Sequence, residues 1–116
     1  MPLSERDAGL LQDMLDHARL ASAFLQGVSA DQYLSDKKLQ LAIERLIEII
    51  GEAARGLSED LRAGEPDIPW RGIIGQRNVL AHEYGEVKQE RIWNVASREI
   101  PILIGHLERI QSSPQQ

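Results

Sequence analysis

Residues 39–54, Leu-Gln-Leu-Ala-Ile-Glu-Arg-Leu-Ile-Glu-Ile-Ile-Gly-Glu-Ala-Ala, decide the fold of this chain. Leu39, Ala42, Ile43, Leu46, Ile50 and Ala53 recur at the three- and four-residue steps that place side chains on one face of an α-helix. Leu41, Ile47, Ile49 and Ala54 add apolar surface outside that stripe. A helix in a small monomeric bundle needs only one buried stripe. Either a second copy of the chain covers the excess, or this helix is central and several neighbours touch it; the breadth of the stripe favours the second copy. Glu44, Glu48 and Glu52 lie along one line at i, i+4 spacing, where like charges repel slightly. They read as a solvated or salt-bridged stripe, with one of them holding Arg77 or His82 as the alternative.

The pattern on either side is also helical. Ser4 suits an N-cap, with Asp7 three residues on returning a reciprocal bond. Leu10, Leu11, Met14, Leu15, Ala18, Ala21 and Leu25 form the stripe of a first helix, and Gly27 suits its stop. Residues 28–35 read as a connection in which Ser29 or Ser35 caps the long second helix, which ends near Gly56. Ser58 to Gly64 reads as a short turn or a continuation. Pro66 and Pro69 break the pattern, and Pro69 suits the first turn of a third helix over about 69–84. A fourth runs from about Val87 to Ile110, with Trp93, Ala96, Ile100, Leu103, Ile104 and Leu107 inward and a kink or split at Pro101. Strand signals are nearly absent. The expectation is an all-α, up-and-down bundle of four to five helices, one domain over 1–110, with a disordered tail at 111–116.

Composition narrows the function. The chain has 116 residues, no cysteine and a formal net charge of −5. Disulfides and thiolate metal sites are excluded, which fits a reducing cytoplasm. No apolar run is long enough to span a membrane, and the polar first residues lack the apolar core of a signal peptide. A general electrostatic grip on nucleic acid would give the opposite net charge. Any contact with RNA must therefore be a local basic pocket on an acidic body.

Residues 77–84, Arg-Asn-Val-Leu-Ala-His-Glu-Tyr, carry the chemistry. Arg77 offers a permanent fork of donors suited to a phosphate. His82 exchanges protons near neutral pH. At about 100° per residue, Arg77 and Tyr84 share one line of the helix, Asn78 and His82 share another, and Ala81 lies between. Arg77 and His82 are thus not on one narrow stripe, so the helix end distorts or an interface completes their site. In such a site neutral His82 takes the proton of a ribose 2′-hydroxyl, and Arg77 steadies the charge that develops on the phosphate. Asn78 orients the imidazole or donates to the phosphate. Taken singly, each group also has a structural reading, since cations suit the C-terminal end of a helix and tyrosines pack. Arg71 and Arg91 flank the motif and widen a basic pocket, or are ordinary exposed arginines. Trp70 and Trp93 read as core or interface anchors. His106 reads as structural. Asp13 and His17, four apart, do not make a metal site.

Arg, four residues, His, one residue, Tyr resembles the signature of HEPN-domain proteins of the HepT toxin type. Residues 43–54 resemble that family's central helix, 68–78 its approach to the motif, and 92–101 its last helix, so the resemblance covers nearly the whole chain. It implies an all-helical homodimer whose two motifs meet in an interfacial cleft and act as a metal-independent endoribonuclease with no cofactor. It implies Arg77 and His82 as catalytic residues, RNA as substrate, and an MntA-like nucleotidyltransferase antitoxin that transfers AMP to Tyr84. A non-catalytic HEPN adaptor that binds nucleotide or scaffolds a nucleotidyltransferase is the alternative.

Overall fold

In a computed structural model the chain is described over residues 3–82 and 87–113. Every regular element among them is helical: α1 (Glu5–Phe24), α2 (Ala30–Leu34), α3 (Lys37–Gly56), α4 (Glu59–Ala63), α5 (Trp70–His82), α6 (Gln89–Asn94) and α7 (Ile100–Ser112), with a π-helical turn, Val95–Glu99, joining the last two. The all-α expectation holds, with two one-turn helices added in the connections.

Local chemistry sets most boundaries. The Ser4 hydroxyl caps α1 by accepting from the Asp7 N–H. Gly27 takes φ 74°, the left-handed conformation that lets the chain leave α1. Ser29 caps the short α2 in a reciprocal capping box with Gln32. Neither serine caps the long helix: Asp36 does, through its contact with the Leu39 N–H. The Ser35 hydroxyl instead turns back to the Asp31 carbonyl.

Asp7 departs from the expected capping box. Its carboxylate accepts from both the N–H and the hydroxyl of Ser58, at 2.9 and 2.7 Å. The start of α1 is thereby tied to the residue that caps α4, and α1 runs antiparallel to α3. Arg19–Glu108 and Gln12–Gln111 contacts pair α1 with α7, again antiparallel. Leu11, Met14, Leu15, Ile43 and Leu107 are fully buried where these helices meet. Each such side chain contributes roughly 1.5–3 kcal/mol on burial.

The breadth of the α3 stripe has a largely intramolecular cause. Ile47 and Ala54 are buried within the chain, because α3 meets α1, α5, α2 and α6. Leu41 stays 53% exposed, and Leu20 and Phe24 of α1 are exposed as well.

The last helix shows why Pro101 is tolerated. The π turn precedes it, and the Ile100 N–H reaches back five residues to the Val95 carbonyl. Ile92, Ala96, Ile100, Leu103, Leu107 and Ile110 face inward, at steps of three and four residues that continue through the turn. Trp93 and Ile104, expected inward, are only partly covered. Trp93 packs on Tyr33, ring centroids 5.4 Å apart.

Burial alone would raise the Asp7 carboxyl, but its bonds to Ser58 and Ser4 and the nearby Arg6 charge outweigh that and hold it below the ordinary carboxylate value. A depressed folded-state value gives stability that is present at neutral pH and is lost as pH falls below about 4. Asp7→Ala should lower stability at pH 7 by about 1–3 kcal/mol. In urea unfolding the gap between variant and wild type should close as pH is lowered toward 3; a gap that persists would rule out the ionised Asp7–Ser58 tie.

Candidate active site

The site is organised by the crossing of α5 over α3. A Cβ built on Gly51 would overlap the Arg77 Cβ and would lie 3.0 Å from both the Arg77 Cγ and the Ile73 carbonyl oxygen. Only a glycine lets the two backbones come this close. The first residue of the motif therefore enters the groove between α3 and α5 with its aliphatic stem buried.

There the Arg77 Nε lies 2.8 Å from Glu52 Oε2. One of the three aligned glutamates does hold the arginine, the alternative reading of that stripe. The contact is an ion pair without a well-aligned hydrogen bond: the buried Nε–H makes none. The Arg77 Nη1 donates to the Asn78 Oδ1 at 3.1 Å. The Arg77 side chain is 16% exposed and that of Glu52 is 57%. A pair with one partner this open is worth about 0.2–1 kcal/mol. It orients the guanidinium without locking it. Glu48 pairs with Arg45, and Glu44 accepts from Gln89, whose own Oε1 accepts from the Tyr33 hydroxyl. Burial first, then the Glu44 charge, pushes the Tyr33 hydroxyl above its ordinary range, so it stays protonated as a donor.

Arg77 opens into a groove between α1 and α3 where Arg6, His17, Arg45 and Arg55 also line the wall, beside Asp13, Glu48 and Glu52. Four arginines and three carboxylates thus share this groove, with Arg45 paired to Glu48 and Arg77 to Glu52. Asp13 and His17 belong to the same wall, the imidazole bonding the Asp13 carbonyl. Among the described residues no three of His, Asp or Glu converge as a metal ion would require.

The other sequence-derived residues fall on two sides of α5. Asn78 and Arg71 share a shallow groove with Arg62, Trp70 and Ile74. Trp70 is the expected core anchor: it is 9% exposed, and its indole N–H is shared between the Arg62 and Glu65 carbonyls. Arg91 lies elsewhere, lining a third groove between α5 and the α6–α7 helix, where its Nε donates to Gln76 Oε1 at 3.0 Å. Sequence reasoning missed Gln76, a buried polar residue beside the motif. It also missed the role of Gly51; a lone glycine inside an apolar helical pattern was the available signal. His82 is the last residue of α5, five positions from Arg77 on the same helix. Tyr84 lies outside the described residues.

If Gly51 sets the approach, Gly51→Ala should destabilise the protein by about 1–3 kcal/mol despite the better helix propensity of alanine. Thermal unfolding checks this. A variant as stable as wild type, or more so, would mean the crossing is looser than described.

Comparison with known proteins agrees with the fold class and gives the family. The family model "Ribonuclease HepT-like" matches residues 14–110. The chain is 34% identical over 101 residues to "Probable ribonuclease HepT" of Thermococcus cleftensis, covering 87% of this chain and 92% of that protein. It is 31% identical over 100 residues to "Putative RNase MJ1380" of Methanocaldococcus jannaschii, covering 85% and 92%. "Putative RNase MJ0127" of the same organism is 35% identical over 100 residues, covering 86% and 83%. No solved structure matches. With its helical bundle and with the family model spanning all but the chain's ends, this protein belongs to the HepT-like ribonuclease family.

Proposed function

We propose that this protein is a toxin-type endoribonuclease that cuts RNA without a metal ion. The observation that carries the reading is Arg77: a largely buried side chain in a loose pair with the open Glu52, at the edge of a groove lined by other arginines. A charge-assisted bond to phosphate, worth about 1.5–3 kcal/mol, exceeds the exposed Glu52 pair that it would displace.

In this reading neutral His82 removes the proton from a ribose 2′-hydroxyl. The 2′-oxygen forms a bond to the adjacent phosphorus, and the bond from phosphorus to the 5′-oxygen breaks. The products are a 2′,3′-cyclic phosphate and a 5′-hydroxyl end, the leaving oxygen taking its proton from an acid. A second His82 in a homodimer supplies that acid, or Tyr84 or water does. Arg77 stabilises the charge on the phosphoryl oxygens, and Asn78, already bonded to Arg77, keeps the guanidinium in plane. Arg71, beside Asn78, holds a neighbouring phosphate. The exposed Leu20, Phe24 and Leu41 support a homodimer, and no described helix is long and apolar enough to cross a membrane. Silencing comes from an MntA-like nucleotidyltransferase that places AMP on Tyr84, filling the phosphate's position beside Arg77. The absence of cysteine supports a cytoplasmic setting.

Unmodified protein should cleave RNA in the presence of a chelator. Arg77→Ala and His82→Ala should each lower the rate about 100-fold or more while leaving the helical signal unchanged. The rate should fall as pH is lowered through the imidazole range, about 6 to 7, because the base must be neutral. Wild-type protein that binds nucleotide tightly but cuts nothing would indicate a non-catalytic adaptor instead. On co-expression with the nucleotidyltransferase, intact-mass measurement should show added AMP that Tyr84→Phe abolishes; a gain retained by that variant would move the modification elsewhere.

A further inference from the structure

We propose that Arg62 anchors a second phosphate of the RNA strand, in the groove where α4 meets α5 and apart from the groove that holds Arg77. Arg62 is partly buried, and its Nε is a buried donor with no hydrogen-bond partner among the described residues. Among them only the Arg77 Nε shares that condition, and Arg77 has Glu52 as a counter-ion. Arg62 forms no ion pair with any described residue. Its two Nη groups are neither buried nor bonded there, and the side chain lines the groove. A guanidinium partly stripped of water and given no counter-charge is costly to keep. An unsatisfied buried donor in a native fold needs a cause, and an anion arriving from outside supplies one.

The surroundings fit a phosphate. The Trp70 indole N–H is shared between the Arg62 and Glu65 carbonyls, at 3.1 Å each, so the backbone that carries Arg62 is fastened to the first turn of α5. Arg71 lines the same groove and likewise forms no ion pair with a described residue. Two guanidiniums in one groove suit a negative group with several acceptor oxygens, and a phosphodiester is such a group. Asn78 links the groove to the motif: it lines the wall, and its Oδ1 accepts from the Arg77 Nη1. A strand whose scissile phosphate lies at Arg77 passes Asn78 and brings a neighbouring phosphate to Arg62 and Arg71. Glu59 also lines the groove and pairs with neither arginine. Its charge opposes a free anion, so the site favours a phosphate already tethered at Arg77. The choice of RNA as ligand rests on the ribonuclease reading; the unpartnered guanidinium does not.

Binding of a single-stranded RNA oligomer with 2′-O-methyl riboses, which cannot be cut, tests the site when measured by fluorescence anisotropy on the full chain over a range of salt. Arg62→Met keeps the stem and removes the charge. It should weaken binding about tenfold or more and reduce the slope of log K against log salt by about 0.7, the share of one phosphate contact on a single strand. Its melting temperature should hold or rise, because the lost charge has no partner among the described residues. Arg62→Lys should keep most of the slope. Arg98→Met, at an exposed arginine of the π turn, should change neither affinity nor slope. Wild-type affinity and slope in Arg62→Met overturn the site, as does a loss of affinity that tracks a fall in melting temperature. Polyglutamate of equal charge that binds as tightly as the oligomer, and loses as much in Arg62→Met, assigns the groove to an acidic protein and also overturns it. Cleavage of ordinary RNA is scored separately. A wild type that binds the oligomer through Arg62 but cuts nothing removes the nuclease reading and leaves the phosphate site standing.

Discussion

Where α5 crosses α3, the missing side chain of Gly51 lets the Arg77 stem lie against helix backbone. The rest of the site depends on that approach. It sinks the stem of a charged residue while its guanidinium stays at the rim of a groove, the usual division for a long cationic side chain. It also sets how α5 is rotated. With Arg77 turned into the α3 contact, Asn78 and Arg71 fall on one flank of the helix and Gln76 on the other.

That rotation answers the charge problem. A chain of net charge −5 repels a polyanion as a whole. Arg6, Arg45, Arg55 and Arg77 nevertheless gather along one groove. Carboxylates are interleaved there and partly neutralise it, so attraction is confined to the groove and depends on short contacts. Glu52 is part of this arrangement. It pairs with Arg77 yet is itself open to water, so the pair orients the guanidinium without holding it strongly.

Helix caps, stripes and the proline positions were readable because they depend on neighbours within a turn or so. Ser4 capping α1, Gly27 beyond its end and the buried run from Leu11 to Leu25 came out as the local pattern required. One failure was local: Asp36, and neither Ser29 nor Ser35, caps α3. The others share a cause. Asp7 has the spacing of a capping box, but Ser58 offers it two donors and competes successfully. Trp93 and Ile104 each lie one residue beyond an inward position, at the edge of the buried stripe, where cover depends on the neighbouring helices. The wide apolar surface of α3 reads the same whether its cover is another copy or the same chain; Ile47 and Ala54 are covered from within.

The sequence by itself determined a helical chain, most of its capping points, and a motif whose arginine and histidine lie on one helix. Those properties follow from steps of three and four residues, which any chain of this pattern obeys before it packs. Only the tertiary structure decided that Glu52, of three equivalent glutamates, meets Arg77, and that Arg91 leaves the motif's flank for Gln76. Such pairings depend on the rotation and closeness of packed helices, which Gly51 and the bulk of the core set together and which no local spacing encodes.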